Sequence, residues 1–436
     1  MTVVNDDVRT CEPAAEPWPA PAMAQPVGVD PFFDAPEGFA DQPEGTVLRH
    51  RDVTVAFLGK VKQRVRATQL LYRTTTMHGA AEVTTTTVVT RASGAEPGAP
   101  LVSYQCAIDA IAPETFPSYV LQHGAVTQGT SFPQIEFVFV AAAVARGWTV
   151  SIPDHGGQAG RWGVPREPGY MTLDGIRACL RHEPLGLRAD TRVGVWGYSG
   201  GGLATAWTAE VAPTYAPEIN LVAGAMGAPV SDPGSTFVYL NKTLFTGLPT
   251  LFIAALAREY PPLRQLLDDH VNEKGRKVFY EDAPNWTPEQ AIRAMAHKDL
   301  CHHADRPIDQ MIELPTLKYI FDEIRPGQQT PSVPMLIVQS TRDQIVPLDD
   351  ATAHADRYAR GGTHVTYVTD DWSDHFSLHF LSAPLLFGWL ADRLEGRPVT
   401  PAGRSSRKTI MASGAHLART ARLLGVAARV AVGRGL

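Results

Sequence analysis

Short apolar segments alternate with longer segments of helical pattern through the middle of the chain. Apolar runs of strand length occur at 119–121, 148–152 and 193–196, and helical patterns lie between them at about 134–146 and 171–181. This alternation predicts an α/β fold with a mostly parallel sheet that is flanked by helices on both faces. Ligands bind such sheets at the carboxyl ends of the strands, so residues that directly follow a strand are the first candidates for a site.

The pattern changes on either side of this region. Residues 45–102 are rich in Val and Thr and predict opening antiparallel strands. Residues 231–325 lose the alternation and accumulate helical signals, including Thr287 as a capping residue followed by a proline. We therefore expect a helical cap or lid at 231–325, inserted into a core formed by 30–230 and 326–398. An ordinary helical subdomain is the alternative.

The two ends of the chain differ in charge. Residues 1–29 are rich in Pro, Ala and acidic residues and lack the apolar stretch of a signal peptide, so we expect a disordered arm and favour a cytoplasmic or membrane-peripheral location. Residues 399–436 form a basic tail: from Arg397 onward there are eight basic residues and no acidic one. This tail is either a basic amphipathic helix that contacts an anionic membrane or a solvated segment.

One of the apolar strands breaks into glycines around a serine. The segment from Gly197 to Gly201 reads G-Y-S-G-G and fits the G-x-S-x-G pattern, in which a strand turns sharply into a helix and presents the serine at the strand end. The glycines are required because a Cβ at those positions would collide with neighbouring backbone. The apolar run before the motif and the helical pattern after it favour a nucleophile elbow at Ser199.

Two further candidates follow later strands. Asp343 lies in the loop after the apolar run at 334–339, and His375 follows the run at 365–369. The chain order Ser, Asp, His is that of α/β-hydrolases. A serine hydroxyl needs an imidazole to take its proton, and a carboxylate must hold that imidazole in the correct tautomer.

Other residues compete for these two roles. His379 is the rival base, one helical turn beyond His375, and position alone favours the histidine nearer to the strand end. Asp349, Asp350 and Asp374 are rivals for the acid. The first two follow a proline beyond Asp343, and the third adjoins the histidine in sequence.

Beyond these residues, the chain resembles the secretory lipase family of the lipase A type over roughly residues 30–398. The similar stretches occur in the family's order at 30–33, 103–109, 117–119, 146–154, 169–178, 215–220 and 389–394. The resemblance implies an α/β-hydrolase fold with a helical cap. It assigns the triad to Ser199, Asp343 and His375.

The resemblance also implies an oxyanion hole. In this family an aspartate that matches Asp109 assists the backbone N–H after the nucleophile, which here belongs to Gly200. Asp109 would have to be protonated or donate its own N–H, because a carboxylate would repel an oxyanion. A loop-capping role is the alternative for Asp109, and His123-Gly124 is the other candidate element of the hole.

Composition adds mainly exclusions. The net charge of -6 argues against a nucleic-acid partner for the chain as a whole. The four cysteines are widely spaced without C-x-x-C, which indicates neither a zinc site nor a dense disulfide framework. Phe116 stands where the family often has a cysteine. His302-His303 lacks a second ligand pair, and no phosphate-binding loop is present, so we expect no metal and no cofactor.

These observations together predict a serine hydrolase. We expect it to cleave carboxylic esters of lipids, in the manner of a triacylglycerol lipase, through an acyl-enzyme intermediate. A lipid ester is therefore the expected substrate partner. A carboxylesterase or acyltransferase that acts on smaller esters is the alternative within the same chemistry, and a non-catalytic binding protein with a hydrolase fold is the alternative from another class.

Overall fold

The computed structural model describes residues 15–129, 131–399 and 401–436. Their strands are β1 (Glu16–Pro17), β2 (Val47–Asp52), β3 (Ala56–Phe57), β4 (Val61–Lys62), β5 (Val65–Thr75), β6 (Ala81–Arg91), β7 (Leu101–Gln105), β8 (Thr149–Pro153), β9 (Val193–Tyr198), β10 (Leu221–Gly227), β11 (Met335–Ser340), β12 (Val365–Asp370) and β13 (Gly403–Arg407). Apart from the small β3–β4 pair, these strands form one sheet in the order β1-β2-β5-β6-β8-β7-β9-β10-β11-β12-β13.

The sheet has an antiparallel part and a longer parallel part. Strands β2, β5, β6 and β8 are antiparallel neighbours, whereas β8, β7, β9, β10, β11, β12 and β13 follow one another in parallel. This arrangement confirms the predicted opening strands and the mostly parallel sheet. The carboxyl ends of the parallel strands share one edge, so loops that leave them meet there.

Helices lie against both faces of the sheet and over its edge. They are α1 (Pro117–Val120), α2 (Phe132–Ala145), α3 (Glu167–Arg181), α4 (Gly200–Tyr215), α5 (Pro233–Tyr239), α6 (Gly247–Glu259), α7 (Pro261–His270), α8 (Glu273–Lys277), α9 (Pro288–Met295), α10 (Ile308–Met311), α11 (Pro315–Glu323), α12 (Leu348–Arg360), α13 (His375–Leu394) and α14 (Gly414–Ala431). Alternate side chains of β9 point to opposite faces: Trp196 packs with α2 and α13, and Val195 packs with α3 and α4.

One predicted strand is wrong. Residues 119–121 belong to α1 and its cap rather than to the sheet. Pro117 occupies the first helical position, where its fixed φ favours a helical turn. The central strand that precedes α1 is instead β7, which lies between β8 and β9. The expected alternation of strands and helices is otherwise present from β8 to β10.

The segment between β10 and β11 contains helices α5 to α11. Their buried apolar residues, such as Leu256 and Ile320, form a cluster that also includes Ile111 and Trp162 from outside the segment. Helix α9 begins with the predicted capping residue: Thr287 Oγ1 accepts a hydrogen bond from the backbone N–H of Gln290. That this segment acts as a lid stays a prediction.

The described part of the N-terminal arm is more ordered than predicted, and the basic C-terminal segment forms a helix, one of its two predicted alternatives. Residues 1–14 lie outside the described residues, but β1 pairs in parallel with β2, and the guanidinium of Arg49 lies over the ring of Trp18 at 4.4 Å. At the other end, β13 extends the sheet, and Val426 and Val430 of α14 are buried. The disordered arm is therefore wrong for this described stretch, and the basic segment at 399–436 is attached to the core.

None of the helices in the described ranges is long and apolar enough to span a bilayer.

Candidate active site

Ser199 lies at the sharp turn between β9 and α4. Its φ of 53° is in the left-handed region, which is uncommon for a residue other than glycine and marks local backbone strain. A Cβ on Gly197 would collide with the carbonyl of Gly201, and one on Gly201 would collide with the carbonyl of Gln105. The glycines of the motif are thus required by the close approach of three backbone segments, and the turn has the geometry of the expected elbow.

His375 is the first residue of α13 and faces the serine. Its Nε2 lies 3.0 Å from Ser199 Oγ. Asp374 caps the helix through the backbone N–H of Ser377, and the hydroxyl of Tyr198 donates to the carbonyl of His375 at 2.5 Å. These contacts fix the start of the helix and with it the position of the imidazole.

Asp343 lies in the loop after β11 and holds the other side of the imidazole. Its Oδ2 is 2.8 Å from Nδ1 of His375. The carboxylate also accepts hydrogen bonds from the backbone N–H groups of Ile345 at 2.8 Å and Val346 at 2.7 Å, and from the side-chain amide of Gln339 at 3.1 Å. This orientation requires the tautomer with the proton on Nδ1, which leaves Nε2 free to accept a proton from the serine.

The rival residues lie elsewhere. His379 Nε2 is 3.2 Å from Glu136 Oε1, and the ring stacks on Tyr198 at 4.1 Å between centroids. Asp349 and Asp350 belong to the first turn of α12, and Asp374 serves as the cap of α13. His375 contacts Ser199, and Asp343 contacts the imidazole of His375.

Asp109 lies beside the residue that follows the serine. A Cβ on Gly200 would collide with Oδ1 of Asp109, so only glycine allows this approach. That oxygen is buried and has no hydrogen-bond partner in the described structure, although the residue as a whole is partly accessible. Burial raises the pKa of the Asp109 carboxyl from 3.8 to about 7; the charge of Glu136 acts in the same direction, and that of His375 in the opposite one.

The backbone N–H groups of His123 and Gly124, the other candidates for the oxyanion hole, already donate hydrogen bonds within the protein. The backbone N–H of His123 donates to Thr54 O at 2.8 Å, and that of Gly124 donates to Gly59 O at 2.9 Å. Neither amide is therefore free for an oxyanion. The strand that would have placed them after its carboxyl end is absent, because residues 119–121 are in and next to α1.

Comparison with known proteins identifies the family. A sequence model described as secretory lipase matches residues 121–402. The chain belongs to the secretory lipase family. Lipase A of Arthroderma benhamiae is 31% identical over 388 residues, which cover 87% of this chain and 82% of that protein.

Two further comparisons qualify what family membership implies. A Mycobacterium tuberculosis protein named as a probable inactive lipase is 46% identical over 93% of this chain and 91% of its own length. Candida antarctica lipase A has a similar structure, with a TM-score of 0.80, 22% identity and coverage of 93% of this chain and 96% of that chain. This likeness confirms the α/β-hydrolase fold. Membership of the family supports hydrolase activity. The Mycobacterium tuberculosis relative shows that the family also includes a protein named as probably inactive.

The space over Ser199 is small. A cavity of about 40 Å³ lies over the serine, lined mainly by apolar residues that include Leu240, Leu248 and Phe252 of the segment at 231–325. A water molecule needs roughly 10–15 Å³ of such volume, so the cavity has room for about three waters and none for an acyl chain.

Sequence reasoning missed a buried acid behind Asp109. Glu136 of α2 accepts hydrogen bonds from the backbone N–H of Ala107 and from the hydroxyl of Tyr104, both at 3.1 Å. It thereby anchors the segment that carries Asp109. The available signal was a single acidic residue within the apolar sequence of α2, because a fully buried acid needs specific partners.

No group of three or more metal-ligating side chains that could hold an ion occurs in the described part of the chain. The cysteines that the structure describes, Cys106, Cys179 and Cys301, are free.

Proposed function

We propose that the protein is a serine hydrolase that cleaves carboxylic esters of lipids through an acyl-enzyme intermediate. The observation that carries this proposal is the continuous hydrogen-bonded series from Ser199 Oγ to His375 Nε2, and from His375 Nδ1 to Asp343, at 3.0 Å and 2.8 Å. Heavy-atom distances of 2.6–3.2 Å are those required for proton transfer between a nucleophile and its base.

The reaction has two stages on these residues. Ser199 Oγ attacks the ester carbonyl while its proton passes to His375 Nε2, and Asp343 stabilises the resulting imidazolium. Collapse of the tetrahedral intermediate returns that proton to the leaving alcohol and leaves an acyl-serine. Water then attacks the acyl group with the same imidazole as base, and a carboxylic acid is released.

The oxyanion formed in each stage needs donors that are already in position. The backbone N–H of Gly200 is one proposed donor, and the protonated carboxyl of Asp109 is the other. A carboxyl with a pKa of about 7 is neutral at lower pH, and its buried Oδ1 has no partner in the described structure. A neutral acid in this position donates a hydrogen bond to the oxyanion without repelling it.

The small volume of the cavity over Ser199 makes the segment at 231–325 the proposed lid. Apolar side chains of this segment line the cavity, so a long acyl chain fits beside the serine only after part of the segment has moved. Ion pairs such as Arg166–Glu323, at 3.0 Å, connect the segment to the core. If the movement opens an apolar channel, long acyl chains are preferred; if it widens the cavity only slightly, short soluble esters are preferred.

The test combines covalent labelling with a series of substrates. An alkyl fluorophosphonate should label the wild-type protein, and Ser199→Ala should remove both the label and the hydrolysis of p-nitrophenyl esters. Ser382→Ala is the matched control, because this serine of α13 is buried and does not line the cavity over Ser199. Labelling that survives Ser199→Ala would rule out the proposed nucleophile.

Substrate length and acceptor then separate the remaining alternatives. Acetate, octanoate and palmitate esters of p-nitrophenol should be cleaved with increasing kcat/KM in the presence of a lipid interface. Rates that decline after acetate would favour a carboxylesterase, and acyl transfer to an added alcohol in preference to water would favour an acyltransferase. A folded protein that neither accepts the label nor cleaves any of these esters would be a binding protein.

A further inference from the structure

A second and much larger cavity lies away from Ser199. It occupies about 480 Å³ between α2, α13 and the C-terminal helix α14, within the roughly 300–1,000 Å³ typical of small-molecule sites. Its walls include Phe139, Trp196, Phe387 and Leu423. It shares no lining residue with the cavity over the serine, so it is a separate compartment.

The rim of this cavity is strongly basic. Arg419, Arg422 and Arg429 of α14 line it, and Arg146 joins them from the end of α2. Arg146 forms an ion pair with Glu395. Within the described residues, none of the three arginines on α14 forms a hydrogen bond or ion pair through its side chain. Three guanidinium groups thus have donors available at the mouth of an apolar space.

We propose that this cavity binds a long-chain fatty acid, with the alkyl chain among the apolar walls and the carboxylate against the arginines of α14. Guanidinium groups pair with carboxylates in a planar, bidentate geometry. A small anion would leave the apolar walls exposed, whereas an uncharged hydrocarbon would leave the arginines without a counter-charge. A single acyl chain that ends in a carboxylate covers the apolar walls and also neutralises the arginines at the rim. The proposal holds whether or not Ser199 hydrolyses esters.

Gly425 offers a way to fill the cavity without disturbing the fold. It lines the cavity, and a Cβ built on it meets no atom within 4 Å. Gly425→Leu therefore adds a side chain at the wall of the cavity without a steric clash, and it also replaces a poor helix former in α14 by a good one. Gly414→Leu is the matched control, since Gly414 begins the same helix, has equally open surroundings and does not line the cavity.

The binding experiment uses palmitate and the full-length protein. Calorimetric titration below the aggregation concentration of palmitate should show saturable binding to the wild type and to Gly414→Leu. Gly425→Leu should weaken binding at least about tenfold, because it occupies the space for the chain. Circular dichroism and the thermal midpoint establish that both variants are folded. Unchanged affinity in a folded Gly425→Leu protein would overturn the proposal, as would a wild type that does not bind palmitate.

A second set of variants tests the carboxylate. Arg422→Gln and Arg429→Gln should each weaken palmitate binding about tenfold, the effect of losing one charge-assisted hydrogen bond. Both residues are exposed, so their replacement should not affect folding. Arg434→Gln is the control, because Arg434 is exposed and does not line the cavity. Hexadecanol should bind equally to all of these proteins. Equal affinities for palmitate across the set would overturn the role of the arginines.

A membrane surface is the competing occupant of this basic face. Phosphatidylglycerol vesicles sedimented with the protein provide that comparison. Vesicle binding that requires the arginines but is unaffected by Gly425→Leu, together with no binding of dissolved palmitate, would replace the fatty-acid site by a membrane contact.

Discussion

The protonation of Asp109 provides the sharpest test of the proposed chemistry. Burial raises the pKa of its carboxyl to about 7, and the side chain can donate to an oxyanion only as the neutral acid. Because the folded-state pKa is raised, the neutral form predominates below about pH 7 and is lost as the pH rises through that value. Turnover by the wild type should therefore decline on the alkaline side.

The magnitude follows from the titration. About two pH units above a pKa, only about 1% of a carboxyl remains protonated, so kcat should fall up to about 100-fold if the neutral form alone is active. Asp109→Asn keeps an N–H donor of similar shape that does not titrate, and it should remove this decline. Asp109→Ala removes the side-chain donor and should lower kcat about 10²-fold to 10³-fold at neutral pH, with little change in KM.

The assay is kcat for a p-nitrophenyl ester from about pH 6 to pH 9, with the uncatalysed rate subtracted at each pH. Circular dichroism at the same pH values confirms that each protein remains folded. An alkaline decline that persists in Asp109→Asn would assign the decline to another group. Undiminished kcat in Asp109→Ala would return Asp109 to a structural role in its loop.

Four further substitutions test the remaining parts of the site. His375→Ala should lower kcat by about 10⁴-fold to 10⁶-fold, whereas His379→Ala should have a much smaller effect; the reverse order in steady-state assays would contradict the choice of base. Asp343→Asn should lower kcat by about 10⁴-fold, because the amide favours the wrong tautomer of the imidazole. Phe252→Ala should open the cavity over the serine and raise the ratio of octanoate to acetate hydrolysis, while it destabilises the protein by about 3–5 kcal/mol in denaturant unfolding.

The sequence was most informative where geometry permits only particular residues. The elbow could be recognised because glycine is required on both sides of Ser199, and the structure explains this requirement by close backbone approaches at Gly197 and Gly201. Asp343 and His375 could be placed because both directly follow apolar strands, and parallel strands end at one edge. The requirement for glycine around Ser199 and the shared edge of the parallel strands together allow all three residues of the proposed hydrogen-bonded series to be predicted.

The sequence was less informative where tertiary packing determines the outcome. Residues 119–121 are apolar enough for a strand, but Pro117 begins a helical turn and the central position in the sheet is taken by β7. The basic C-terminal segment has the composition of a solvated or membrane-bound tail. Its attachment depends on the burial of Val426 and Val430 against the core, which local composition does not encode.

The small cavity over Ser199 connects the proposed lid to substrate choice. Opening must expose apolar side chains such as Leu248 and Phe252, and this cost has to be offset by contacts with the substrate. Each methylene buried from water contributes about 0.8 kcal/mol, so the six additional methylenes of an octanoyl chain contribute about 5 kcal/mol more than an acetyl group does. A lid of this kind therefore discriminates by chain length through its own closure.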